Sequence, residues 1–201
     1  MVGNYKEVAY QTVYLLNDDE DTCYRLVNAK QVPILEMDDG SAMPESMDIA
    51  HKFNEIGNAA KIIAPKECAD AVLDHINTVG IHSRNLIYPR NVMCDLPEFA
   101  MQSARDYFQK KKEKTIEKSF AQAIQETPEH KAAVEEMLAT LPELPGTAQN
   151  KGVLSWDDVL VYPWLRNLTI VKGLHFPEAV LDYMESVKCI TNTHTYFDKA
   201  V

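Results

Sequence analysis

Between Lys30 and Ala50 the sequence gathers residues able to hold a small peptide-like ligand. They run Lys30-Gln31-Val32-Pro33-Ile34-Leu35-Glu36-Met37-Asp38-Asp39-Gly40, then Ser41-Ala42-Met43-Pro44-Glu45-Ser46-Met47-Asp48-Ile49-Ala50. Val32-Pro33 is the one kind of peptide bond that readily adopts the cis form, which would turn the Val32 N–H and C=O out of a sheet, towards a ligand lying alongside as an added strand. Glu45 can pair with an ammonium group. Ser46 offers a hydroxyl at a helix start, where backbone N–H groups and the helix dipole attract a carboxylate. A ligand with an α-amino acid head and a peptide-like body fits such a set. Each feature also has an ordinary structural reading: proline suits the start of a strand, and Glu-Ser suits the start of a helix.

The elements that must position these groups can be read around them. Val32–Met37 predicts a Pro-initiated strand, Asp39-Gly40 a hairpin turn, and Ser46 to about Ile56 a helix. That helix has Met47, Ile49, Ala50, Phe53 and Ile56 as inward candidates and Gly57 as its C-cap. Upstream, Tyr10–Leu16 is β-rich and predicts a strand. Asn17-Asp18-Asp19 offers capping side chains for a helix over about Glu20 to Asn28, on which Cys23 is a packed small hydrophobe. From Asn58 onward the pattern is helical throughout. Helices are expected over Glu67–Ser83, over Phe99–Gln125 after a break bracketed by Pro89 and Pro97, and from Thr127-Pro128 to about Leu141. After a loop over 142–152, another runs from Ser155 towards Gly173 through Pro163, and the last opens at Pro177. Ser155 and Asp158 have the spacing of a capping box, and Leu154 and Val159 that of a hydrophobic staple. The tail beyond Thr191 is polar and expected to fray.

Composition narrows the classes of function. A net charge of −10 argues against nucleic acid, whose phosphates need a basic face. The Lys110-Lys111-Lys112-Glu113-Lys114 run reads as a solvated helix face rather than an anion site. No apolar run approaches the length that spans a bilayer, and no signal peptide is evident, so a cytoplasmic location is the default. The four cysteines, Cys23, Cys68, Cys94 and Cys189, lie far apart and read as free thiols. The six histidines show no zinc-ligand spacing. His75 and His82 share a helical face by spacing, but no cysteine or carboxylate completes a set, so no metal is expected.

Several blocks together resemble a known family. Gln31-Val32-Pro33 followed by Pro44-Glu45-Ser46 looks like the glutathione site of thioredoxin-fold proteins related to glutathione transferases. With Leu15-Leu16-Asn17-Asp18-Asp19, Met43–Ile49 and Leu165-Arg166-Asn167-Leu168-Thr169, the chain resembles the large two-domain bacterial glutaredoxins of the glutaredoxin-2 type, almost from end to end. The Ser155–Asp158 segment also resembles the folding signature of the helical domain of glutathione transferases. The resemblance implies a thioredoxin-like α/β unit over 1–57, incomplete at its N-terminus, and an all-helical, glutathione-transferase-like domain over 58–201.

It further implies glutathione as co-substrate, held by Val32, Pro33, Glu45 and Ser46, in the reduction of protein disulfides or glutathione mixed disulfides, with disulfide-containing or glutathionylated proteins as partners. The family begins with a strand and a Cys-Pro-Tyr-Cys motif, and neither occurs in these 201 residues. The expectation is therefore an oxidoreductase whose true beginning precedes Met1, with no catalytic cysteine in the chain as it stands and no reductase activity without that segment. The rivals are a transferase-like or non-catalytic glutathione-binding protein and a scaffold that mediates interactions.

Overall fold

Local capping chemistry decides where several of the helices begin. The computed structural model describes residues 1–146 and 152–201. Helix α1 is a short turn over Val2–Tyr5. Helix α2, Glu20–Val27, starts where the Asp19 carboxylate accepts the Thr22 N–H at 3.0 Å, and closes at Asn28 in the left-handed region. The hairpin follows: β1, Leu35–Glu36, pairs antiparallel with β2, Ala42–Met43, in the register Leu35 to Met43 and Glu36 to Ala42. The turn between them contains Asp39 and Gly40, with the Ser41 N–H donating to the Asp39 carboxylate at 2.9 Å. Helix α3 covers Ser46–Ile56, as its apolar spacing predicts.

The rest of the described chain is helical: α4 Ala69–Asn77, α5 Gly80–Met93, α6 Gln102–Ile116, α7 Phe120–Gln125, α8 Thr127–Ala139, α9 Trp156–Leu168 and α10 Glu178–Thr191. Helix α9 lies at the centre, packed on α4, α5 and α10. Its Val161, Tyr162, Leu165 and Leu168 are buried together with Val72, Leu86, Val134 and Tyr183 in one apolar core. The expected capping box is present. Ser155 Oγ accepts the Asp158 N–H at 3.1 Å, and the Asp158 carboxylate accepts the Ser155 N–H at 2.8 Å. Leu154 and Val159 are buried on either side of it. None of the described helices is long and apolar enough to cross a membrane.

The first 57 residues carry much less core. Up to Gly57 the buried apolar side chains are Val2, Tyr5, Cys23, Ile49 and Ala50. The α/β character expected here is visible only as the two-residue strands of the hairpin. Tyr10–Leu16 forms no strand: a strand is defined by a partner, and among the described residues no neighbouring chain supplies one. Val13 and Tyr14 are instead 71% and 66% exposed. Ile56, expected inward, is also exposed. Gly57 does cap α3, but in the extended region at φ −85° rather than the left-handed one. Close approach explains the glycine, since a Cβ there would sit 2.6 Å from the Lys6 Cβ and 2.8 Å from the Lys6 carbonyl oxygen.

Other expectations change for physical reasons. The Glu67–Ser83 helix is two helices, because at Thr78 and Val79 the N–H groups turn back to His75 and Ile76, and the Thr78 hydroxyl also donates to the His75 carbonyl. The Phe99–Gln125 helix is also two, divided where Glu117 takes a left-handed conformation and Ser119 caps α7. Pro89 does not mark a break but sits inside α5, buried with Leu86 and Arg90. Its missing N–H and ring clash would ordinarily cost about 3 kcal/mol. The packing of α5 against α6, α7 and α8 outweighs that, and the Arg90 guanidinium donates to the Leu86 carbonyl in the loosened turn.

The tail, expected to fray, is docked. Val201 exchanges backbone bonds with Ile170 and Lys172, its carbonyl accepts from buried Arg90, and the Lys199 carbonyl accepts from the Cys94 thiol. Helix α9 itself stops at Leu168, short of Gly173. The expected loop over 142–152 falls partly outside the described residues.

Candidate functional site

The hairpin and the start of α3 bring the four sequence-nominated residues to one end of the first half. Val32 and Pro33 precede β1 and are both exposed, joined by a cis peptide bond. Among the described residues neither the N–H nor the C=O of Val32 is engaged by another group. Its edge is thus free to pair with an extended ligand backbone.

At the other side of the hairpin, Glu45 and Ser46 lie exposed at the N-terminus of α3. Among the described residues no side chain caps this helix and no acceptor meets its first N–H groups. Its dipole favours an anion there. Gln31 donates through Nε2 to the Glu45 carboxylate, linking the Val32 side of the site to the α3 side.

Glu45 occupies φ +74° and ψ 115°, a conformation that a non-glycine residue holds only against strain. Such strain costs on the order of 1–3 kcal/mol. Glu45→Gly should therefore raise the urea midpoint of unfolding, by about 1 kcal/mol in stability, while removing the carboxylate from the site. A lower midpoint would mean that the Glu45 side chain contributes more to folding than its backbone subtracts.

The cysteines are not arranged for nucleophilic attack. Cys23 is fully buried. Cys68 stands at the start of α4, where a dipole would ordinarily favour a thiolate, yet burial first and the Asp157 charge second push its thiol up. Burial likewise raises Cys94, and the bond to Glu185 raises Cys189. Around the lysine run, Lys110, Lys114 and Lys118 line a groove together with Asp106, Glu113 and Glu117, while Lys112 is half-buried over the Tyr88 and Phe108 rings.

Two groupings escaped the sequence. Asp157, buried beside the capping box, reaches across to accept the backbone N–H groups of Glu67, Cys68 and Ala69 at 2.6–3.0 Å. His75 and His82, paired by spacing, are separated by the break at Thr78. His75 turns to the Met137 carbonyl and Thr140 hydroxyl, whereas His82 meets His130 and Glu129 of α8. No local signal connects positions so far apart in the chain.

Comparisons with known proteins point to one family. The family described as "Glutaredoxin 2, C terminal domain" matches residues 71–200. Glutaredoxin 2 of Escherichia coli (strain K12) is 34% identical over 189 residues, covering 93% of this chain and 86% of that protein. The Glutaredoxin 2 of Escherichia coli O157:H7 matches to the same extent. Among solved structures, Glutaredoxin 2 from Salmonella typhimurium in complex with glutathione superposes with a TM-score of 0.89 at 31% identity, over 100% of this chain and 91% of that one.

Proposed function

The chain belongs to the glutaredoxin 2 family, and we propose on that footing that it takes part in glutathione-dependent thiol–disulfide exchange, with Val32, Pro33, Glu45 and Ser46 as the cradle for glutathione. The observation that carries this reading is the uncapped, exposed N-terminus of α3, with strained Glu45 at its entrance and the free Val32 edge across from it. The Val32 N–H and C=O pair with the ligand's peptide backbone, beside Pro33. The Ser46 hydroxyl and the first α3 N–H groups receive the γ-glutamyl carboxylate. Glu45 meets the neighbouring ammonium group. Charge at both ends of the head fixes its direction, which sets the ligand sulfur at a constant place along the Val32 edge.

In the exchange a thiolate attacks one sulfur of a disulfide, a new S–S bond forms as the old one breaks, and the departing sulfur leaves as thiolate. The attacking thiolate must be exposed and stabilised, which Cys23, Cys68, Cys94 and Cys189 are not. The contribution of these 201 residues is therefore the cradle and the body that supports it. The substrates on this reading are disulfide-containing or glutathionylated proteins, in the cytoplasm. Residues 1–57 are the thioredoxin-like part and 58–201 the glutathione-transferase-like helical part.

Calorimetric titration with glutathione tests the cradle. A hydrogen bond to a charged group contributes about 1.5–3 kcal/mol, so Glu45→Ala and Ser46→Ala should each weaken binding about 10-fold or more. Both positions are exposed, and the urea midpoint of Ser46→Ala should stay close to that of the parent. Affinity unchanged in both variants would place the ligand elsewhere.

A further inference from the structure

Helices α5 and α8 pack side by side and bring together three metal-ligating side chains: His82 from α5, and Glu129 and His130 from α8. The Nδ1 atoms of the two imidazoles are 3.0 Å apart, and the candidate ligand atoms, the Glu129 carboxylate included, all lie within 4.8 Å of one another. His130 is 4% exposed, His82 is half-buried and Glu129 faces solvent, so the cluster opens outward on one side only.

The other nitrogen of His130 is as informative as the first. Its Nε2 lies 3.4 Å from the Glu126 carboxylate. That carboxylate is in turn held by Lys118 at 2.5 Å and by Gln122 at 2.8 Å. A carboxylate thus stands behind the ring, beside the nitrogen that does not face His82. Histidines that ligate metals are almost always supported in this way.

We propose that His82, His130 and Glu129 form a binding site for a zinc-like divalent transition ion, with Glu126 as the supporting carboxylate. Both imidazoles ligate through Nδ1, the atoms that already face one another. Metal–nitrogen distances of about 2.0–2.1 Å with tetrahedral angles require the two nitrogens to separate by only about 0.3 Å from where they stand. Glu129 supplies an oxygen as third ligand and water completes the set. Two imidazoles and one carboxylate suit zinc, copper or nickel over calcium or magnesium, which prefer all-oxygen sites. The bound ion ties α5 to α8, and its contribution is one of stability, separate from the glutathione cradle on α3.

Zn²⁺ titration of the full chain by calorimetry, with Co²⁺ absorption as the spectroscopic readout, tests the site. The parent should take up one ion per chain, show Co²⁺ d–d bands without thiolate charge-transfer bands, and unfold at higher urea with Zn²⁺ present. His82→Ala should abolish this uptake. Glu129→Ala and Glu126→Gln should each weaken it about 10-fold or more, the latter through the supporting carboxylate. Glu129 is exposed, so that variant keeps the fold and remains informative if His82→Ala does not. Absence of uptake by the parent, uptake unchanged in His82→Ala or Glu129→Ala, or uptake lost instead in Cys68→Ser or Cys189→Ser would overturn the assignment.

Discussion

Asp157→Ala is expected to cost about 3 kcal/mol of folding stability, more than loss of an ordinary helix cap. The Asp157 side chain is 3% exposed and accepts three backbone N–H groups, from Glu67, Cys68 and Ala69. These belong to the N-terminus of α4, which has no cap of its own, because Cys68 at the cap position makes no side-chain bond. Alanine would leave these donors at a partly buried junction with no acceptor. Hydrogen bonds to a charged partner contribute about 1.5–3 kcal/mol each, but three bonds to one carboxylate are not additive.

The urea midpoint should fall at an unchanged slope, and Asp157→Asn, which keeps one oxygen in place, should recover part of the loss. A second readout follows from Cys68, whose thiol is held up by burial first and by the Asp157 charge second. Removing that charge should make Cys68 react faster with an alkylating reagent. A midpoint that does not move would mean that α4 is anchored by its packing alone.

Amide hydrogen exchange should divide the chain even more sharply. Among the described residues, no backbone N–H from Tyr10 to Leu16 has an acceptor, and the side chains along that stretch are mostly exposed. Their exchange should approach the rate of an unprotected peptide. Amides in the second half of α9 are bonded within a helix whose Val161, Leu165 and Leu168 are buried in the main core. They should exchange only through global opening, slower by a factor of about 10³ or more. Equal protection in both places would show that Tyr10–Leu16 finds a partner in solution. An exposed β-rich stretch is prone to do so with a second chain, so the comparison belongs at low protein concentration.

What could be read in the sequence was whatever the chain settles within a few residues. The box at Ser155 and Asp158, the Asp39-Gly40 turn, Asp19 as the cap of α2 and the extent of α3 are all local, and each stands as expected. The proposed cradle residues are also near one another in the chain, their two halves separated only by a hairpin. Distant partners are what the sequence hides. Asp157 reads locally as one more acid in the first turn of a helix, and nothing near it announces acceptors for Glu67 to Ala69. Pro89 reads as a break because the packing that keeps α5 continuous comes from α6, α7 and α8. The polar tail reads as loose because its bonds go to Arg90, Cys94 and Ile170. Tyr10–Leu16 shows the opposite case: its composition suits a strand, but strand formation depends on a neighbour.

The two acids at the head of α9 also differ in when they can act during folding. Asp158 closes its box across 3 residues, whereas Asp157 closes loops of 88–90 residues. On the (3/2)RT ln n scaling, the length-dependent cost of closure is about 1 kcal/mol for the first and about 4 kcal/mol for the second. The box is thus available to the earliest helical turns, and the Asp157 contacts wait until the chain has brought α4 against α9. Loss of the Ser155 cap should then appear mainly as slower folding. Loss of Asp157 should leave the folding rate nearly untouched and appear as faster unfolding, so that this carboxylate governs how long the folded molecule lasts rather than how quickly it forms.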